Sequence, residues 1–362
     1  MQEVRTQPAP DRLSGRPPLV LCCGEALLDR LGPLGGDPAT ASLQEREDCL
    51  GGAPANVACG LARLGTPVAF LGRLGRDPIG AAFADLFAGR GVDTTGLQWD
   101  PLRPSRTVLV HRDRGGERHF GGFAGAGDQG FADQALDPVL LRQALAPLLA
   151  RARWLQLGTL PLASEPAATA LHTAVEVCAA AGVAVALDLN WRPTFWGLPP
   201  GAGPDPAAQA VIEPLLRSAS LLKLAAEEAE WFFGSRDPAV IRTALPRRPL
   251  VVVTDGAAPL AWAGAATGPE GEAGEGEAGV GTLVPFPVEA VDSTGAGDAF
   301  TAGLLHKLCQ GPTGLELALR FASACGALTC TGPGAIDPQP DAAAVDQFLQ
   351  DRFLQDRSPG GV

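Results

Sequence analysis

Tyrosine is absent from this 362-residue chain, methionine occurs once, and lysine occurs only at Lys223 and Lys307. Arginine carries nearly all the positive charge, so a lysine that remains marks a place where a compact ammonium is wanted in preference to a planar guanidinium. An excess of basic charge is also lacking. The formal net charge is −12 and the isoelectric point near 4.8, which argues against nucleic acid or an anionic membrane as partner. No uncharged apolar run approaches the roughly 18 residues of a membrane-spanning helix. Residues 1–18 contain no apolar core of the signal-peptide kind and read as a disordered lead-in. The eight cysteines include no Cys-x-x-Cys pair and no histidine at zinc spacing, so buried thiols in a reducing, cytoplasmic setting are expected. No Gly-x-Gly-x-x-Gly follows the first apolar run, which excludes a dinucleotide-binding oxidoreductase.

What is present is an alternation. Short apolar runs at 19–23, 68–71, 154–157, 183–189, 221–224 and 251–254 read as strands, several continuous enough to be buried on both faces. Between them, 55–64, 79–90, 138–151, 165–181 and 227–233 carry helical periodicity, continued by 301–308 and 314–329. This pattern predicts an α/β fold with a mostly parallel sheet and helices on both faces. Residues 106–111 and 117–120, joined by a polar turn at 112–116, read as a hairpin suited to a flap over a site. The Gly-, Ala- and Glu-rich stretch 264–282 reads as a solvated loop between strands at 260–263 and 283–286.

Two constellations carry chemistry. The turn Asp292-Ser293-Thr294-Gly295-Ala296-Gly297-Asp298 runs into an apolar helix, whose first N–H groups lack internal partners and suit a phosphate. A carboxylate there is placed to accept a proton from a hydroxyl attacking that phosphate. The same aspartate could serve as an ordinary helix cap worth about 0.5–2 kcal/mol. Near the N-terminus, Asp29 follows the first strand and Gly51-Gly52 opens a helix that carries Asn56. Paired glycines let a ligand touch backbone, and the carboxylate and amide suit a polyol. Taken singly, Gly-Gly is a turn and Asn56 an exposed helix residue. Together with the Asp298 turn they describe a kinase of small hydroxylated substrates.

The segments 51–58 and 292–300 resemble the N- and C-terminal signatures of the ribokinase (PfkB) carbohydrate kinases, and the similarity spans roughly 19–340. Within the family the likeness is strongest to fructokinases, through Gly24-Glu25 and Asp188-x-Asn190-x-Arg192. Gly158 stands where ribokinases place a sugar-binding Glu. The resemblance implies a ribokinase-like three-layer α/β/α sandwich with a small β-strand lid from about 32–50 and 98–125, then a C-terminal helix and tail over 341–362. It implies ATP-dependent phosphorylation of a sugar, fructose first, with 2-keto-3-deoxygluconate kinase or a noncatalytic regulatory member as alternatives.

The implied roles follow residue by residue. Asp298 is the base, and the N–H groups of Gly295, Ala296 and Gly297 form the anion hole. Asp29, Gly51, Gly52, Asn56, Phe120 and Arg192 hold the sugar, with Phe120 and Phe123 on the flap closing over it. Arg192 could instead pair with Asp188, while Trp191, Phe195 and Trp196 are expected in the core. Lys223, Thr254, Gly256, Ser323 and Gly334 contact ATP. Glu228 organises Mg2+ through water, although Ala225 departs from the family's polar residue. Asp292 and Thr294 resemble a potassium loop. The flap edges suggest a homodimer.

Overall fold

The structure is a computed structural model that describes residues 17–114, 118–125, 130–265, 279–311 and 314–357. Most of the lead-in (1–16) and the centres of the flap turn (115–117) and of the Gly/Glu stretch (266–278) lie outside these residues.

The strands are β1 Val20–Cys23, β2 Leu27–Leu34, β3 Glu47–Gly51, β4 Val68–Gly75, β5 Asp93–Asp100, β6 Thr107–Arg112, β7 Arg118–Phe123, β8 Trp154–Leu157, β9 Ala184–Asp188, β10 Leu221–Ala225, β11 Leu250–Asp255, β12 Ala258–Gly264 and β13 Gly279–Leu283. Helices run α1 Ala53–Arg63, α2 Pro78–Arg90, α3 Pro138–Leu148, α4 Glu165–Ala180, α5 Pro206–Ser218, α6 Ala226–Phe233, α7 Pro238–Ala244, α8 Ala296–Cys309, α9 Leu315–Thr329 and α10 Ala342–Arg357. The main sheet has the order β13-β12-β11-β10-β9-β8-β1-β4-β5. It is parallel from β5 to β11, and β12 and β13 are antiparallel.

Because the parallel strands are covered on both faces, their apolar residues divide between two cores. One face packs on α1, α2, α8, α9 and α10, the other on α3 through α7. The three-layer α/β/α sandwich expected from the alternation is what forms. Chain order reverses direction between β1 and β8, and a ligand cleft is expected outside the carboxyl ends of the strands at that switch point.

Four helices start alike. Asp77, Asp137, Asp205 and Asp237 each accept backbone N–H groups of the helix they precede, with proline in the first turn, joining the cap to a residue whose missing N–H costs nothing there. Neither α1 nor α8 has a side-chain cap of its own, and both open onto the cleft.

A second sheet, β3-β2-β6-β7, forms the lid. It begins at Leu27, earlier than the expected 32, and 98–100, expected in the lid, belongs to β5, which pairs with β4 in the main sheet. The flap hairpin forms between β6 and β7. The stretch 264–282 is not loop throughout, because 279–283 pairs with β12. That makes the second strand earlier than the expected 283–286, since small residues Gly279 and Gly281 fit against Trp262. All eight cysteines are free, and Cys22, Cys23, Cys59, Cys178 and Cys325 are buried. Among the described residues no helix is long and apolar enough to cross a membrane.

Candidate active site

A cavity of about 600 Å3 lies between the lid and the carboxyl ends of β1, β9, β10 and β11. It gathers Asp29, Gly52, Asn56, Phe120, Arg192, Lys223, Glu228, Thr254, Thr294, Gly295, Gly297 and Asp298 from distant parts of the chain. Gly256, Ser323 and Gly334 do not line it. Gly256 is exposed beyond β11, Ser323 is buried within α9, and the Gly334 N–H donates to Asp292.

The paired glycines are required by close approach. Gly52 has φ of 102°, and a Cβ there would stand 2.7 Å from the Glu25 carbonyl oxygen. A Cβ on Gly51 would come within 3.0 Å of Asp29 Oδ2. Glu25 reaches across to do what α1 lacks a cap for: its Oε1 accepts the Ala53 N–H at 3.0 Å. That carboxyl is 1% exposed, and burial pushes its pKa up to about 8 against the backbone hydrogen bonds that favour ionisation.

Asp298 stands in the first turn of α8. Asn56 Nδ2 donates to its Oδ2 at 2.8 Å. The pKa of Asp298 is raised to about 6, first by burial and then by the charge of Asp188, while Asn56, Lys223 and Arg192 act in the opposite sense. The carboxylate is therefore ionised at neutral pH yet a better proton acceptor than an ordinary aspartate. Asn56, expected on the sugar, lines the cavity; its Nδ2 holds Asp298, and its buried Oδ1 meets no partner among the described residues.

Gly295 adopts φ of 76° as the residue before α8. The Ala296 N–H donates to Ser293 O at 3.2 Å, closing the turn, whereas Gly295 and Gly297 make no backbone hydrogen bond through N–H among the described residues. Of the three expected anion-hole donors, two are thus available and line the cavity.

Lys223 and Asp188 face each other in register on β10 and β9, and Nζ donates to Asp188 Oδ2 at 2.7 Å. Thr301 Oγ1 of α8 donates to the same oxygen at 3.2 Å. Burial works against the ammonium, but the attraction and hydrogen bond of Asp188, with Asp298 and Glu228 farther off, outweigh it and raise the Lys223 pKa. A Cβ on Gly297 would stand 3.1 Å from Nζ, so the cation lies against the opening of α8. Asp188 is therefore taken by Lys223, and the alternative in which Arg192 pairs with Asp188 is not what forms. Arg192 is exposed at the cavity, its Nη1 donating to Trp191 O at 2.9 Å.

The expected metal positions hold other contacts. Glu228, 6% exposed, accepts the Trp191 N–H at 2.6 Å and the Ala225 N–H at 2.8 Å, so as folded it is a clamp. Asp292 accepts from Thr294 N, Thr294 Oγ1 and Gly334 N. These contacts shape the turn that opens α8. Among the described residues no group of three or more His, Cys, Asp or Glu is arranged for a metal.

The lid contributes Leu27, Val108, Val110, His119 and Phe120. Phe123 does not reach the cavity. It packs on Phe195, with ring centroids 5.1 Å apart, and on Phe131 at 5.8 Å. Arg106 lies over all three rings, 4.7–5.0 Å from their centroids, and is fixed by a buried ion pair to Asp133 at 2.7 Å. Phe195 lines the cavity and is not plain core, while Trp191 and Trp196 pack in the core, 5.5 Å apart. Glu25, Asn190 and Phe195 are among the cavity residues to which sequence reasoning gave no role in the site.

A family model described as pfkB family carbohydrate kinase matches residues 18–342. Fructokinase-1 of Oryza sativa subsp. japonica is 31% identical over 351 residues, covering 93% of this chain and 99% of that one. The fructokinase of Klebsiella pneumoniae is 34% identical over 303 residues, covering 81% and 89%. Among solved structures, a fructokinase with bound ATP from Xylella fastidiosa superposes with a TM-score of 0.75 at 30% identity, covering 92% of this chain and 98% of that one. A fructokinase from Vibrio cholerae, solved with fructose, ADP and calcium ion, gives a TM-score of 0.72 at 28% identity over 94% and 100%.

Proposed function

We propose that this chain, which belongs to the pfkB family of carbohydrate kinases, transfers the γ-phosphoryl group of ATP to the primary hydroxyl of D-fructose, giving D-fructose 6-phosphate. The observation that carries the reading is the placement of Asp298, a carboxylate with pKa raised to about 6, held by Asn56 beside free N–H groups at the start of α8. Asp298 takes the proton of the attacking hydroxyl. The sugar oxygen–phosphorus bond forms as the bond from phosphorus to the leaving ADP oxygen breaks. The Gly295 and Gly297 N–H groups and the Lys223 ammonium face the charge that spreads over the transferring group. Magnesium would enter with the nucleotide, its charge offsetting that of the phosphates.

The relatives support the sugar. Fructokinases from a plant and a bacterium match over most of the chain, and a fructose-bound fructokinase shares the fold. The lid end of the cavity sets Asp29 among the apolar Leu27, Val108, Val110 and Phe120, a lining suited to a neutral polyol more than to a sugar acid. Lid edges β3 and β7 are left open in the small sheet, and the same reading has them pair with a second copy to give a homodimer.

A coupled assay with saturating ATP across fructose, other neutral hexoses and 2-keto-3-deoxygluconate tests the reading. The highest kcat/KM is expected for fructose, and preference for the acid would overturn the assignment of the sugar.

A further inference from the structure

We propose that Gln339 is a positioning residue for phosphoryl transfer: its side-chain amide grips the backbone carbonyl of Asn56 and thereby sets the reach of the Asn56 side chain to Asp298. The proposal rests on the kinase reading of the cavity. Gln339 does not line that cavity. It is 1% exposed, in the segment between α9 and α10, and its Nε2 donates to Asn56 O at 2.8 Å across 283 residues of chain.

The contact falls where α1 and α8 meet. A Cβ on Gly60 of α1 would stand 2.9 Å from Ala302 Cβ of α8 and 3.4 Å from Gln339 Nε2, so glycine, a poor residue inside a helix, lets both approach. Asn56 is gripped at both backbone ends. Its N–H donates to Gly52 O at 2.8 Å, and its carbonyl takes the Gln339 amide. With the backbone fixed, the reach of Nδ2 to Asp298 Oδ2 is fixed with it. Gln339 is itself held. Its N–H donates to Ile336 O at 3.3 Å, and the same carbonyl accepts Arg90 Nη2 from α2 at 3.1 Å. At the start of the segment, Gly334 N–H donates to Asp292, and Ala335 lies so close that a Cβ on Gly295 would stand 2.6 Å from its own. One segment therefore braces both the turn that opens α8 and the helix whose asparagine holds Asp298. The Gln339 Oε1 is buried without a partner among the described residues, a cost that an apolar side chain of equal length would avoid. What the amide supplies is direction at Asn56, and stability alone would be better served without it.

Gln339→Met keeps the length of the side chain and removes the donor, and Gln339→Leu repeats the test with a branched side chain. Asp298 is faced by Asp188, Lys223, Arg192 and Glu25, and the Gln339 hydrogen bond goes to none of them, so both variants act on Asp298 through Asn56. Expected are a kcat lower by about three- to tenfold, an acid limb of kcat/KM moved upward, a KM for ATP within about twofold of wild type, and a melting temperature unchanged or raised. In an Asn56→Ala background the same substitution should change kcat by less than about twofold, which a general loosening of the fold would not reproduce. Wild-type kcat and limb in both variants, or a loss that multiplies with that of Asn56→Ala, would overturn the proposal. An NMR titration of the Asp298 carboxyl, assigned by its absence in Asp298→Asn, reads the contact without turnover. A midpoint raised by Gln339→Met in a protein that phosphorylates no sugar contradicts the functional reading and supports the role of Gln339, whereas an unmoved midpoint in an active kinase contradicts the role of Gln339 alone.

Discussion

Asn56 Nδ2 donates to Asp298 Oδ2 at 2.8 Å although 242 residues separate them in the chain. The helix opened by the paired glycines thereby holds the carboxylate at the head of α8, and it lowers the pKa of that carboxylate. Removing the amide should have two linked effects. In Asn56→Ala, kcat at pH 7 falls by about tenfold or more, and the acid limb of kcat/KM, near pH 6 in wild type, moves upward because more alkali is needed to ionise Asp298. A pH–rate profile of both proteins checks it. A loss of rate with an unmoved limb would mean that Asn56 does not act through Asp298.

Lys223 and Asp188 are buried at 8% and 4% exposure. Lys223→Met leaves Asp188 without its cation and should destabilise the fold by about 3–5 kcal/mol. Adding Asp188→Asn should restore part of that stability and none of the turnover. Denaturant unfolding alongside kcat measures both, and turnover close to wild type in Lys223→Met would remove the ammonium from the phosphoryl site.

Glu25 gives a pH signature in stability. Its pKa of about 8 lies above the ordinary 4.5, so the folded state binds the proton more tightly than the unfolded one. Its contribution to stability is full below about pH 4.5 and is lost as pH rises through about 8. Glu25→Gln, which retains an acceptor for Ala53 N–H, should therefore gain on wild type as pH climbs through that window, by at least about 1.4 kcal/mol at the top. Unfolding free energies at pH 5 and 8.5 test this, and a constant difference would contradict it.

The Arg106 guanidinium joins lid and body through the rings of Phe123, Phe131 and Phe195. Arg106→Met should raise fructose KM by about tenfold or more while raising ATP hydrolysis in the absence of sugar, because a loosened lid admits water. Phosphate release with and without fructose is the readout. Unchanged KM and unchanged hydrolysis would show that the cluster serves stability alone.

Much of this site was legible in the sequence because its two principal turns announce themselves through glycine spacing. Asp29, Gly52, Lys223, Gly297 and Asp298 do line one cavity. Partnership was harder to read. That Asn56 holds Asp298 as well as lining the cavity was not foreseen, because sequence shows which side chains exist and not which of them face each other. The pairing of Lys223 with Asp188 is a matter of strand register, and β9 had to be placed beside β10 before it could be seen. Glu25 caps a helix 28 residues away, beyond the reach of any local capping pattern. In the fold, the buried parallel strands were plain, whereas β2, β3 and β5 are partly exposed and carry no clear alternation. Helix α5 was missed although Asp205-Pro206 marks its start as Asp77-Pro78 marks that of α2.

The central claim is that Asp298 is the base of a fructose-phosphorylating kinase, and Asp298→Asn tests it most directly because it keeps shape and the Asn56 contact while removing the proton acceptor. The account predicts that kcat for fructose falls by about three orders of magnitude or more, while calorimetric affinities for fructose and Mg-ADP stay within about threefold of wild type. Turnover within about tenfold of wild type would contradict it.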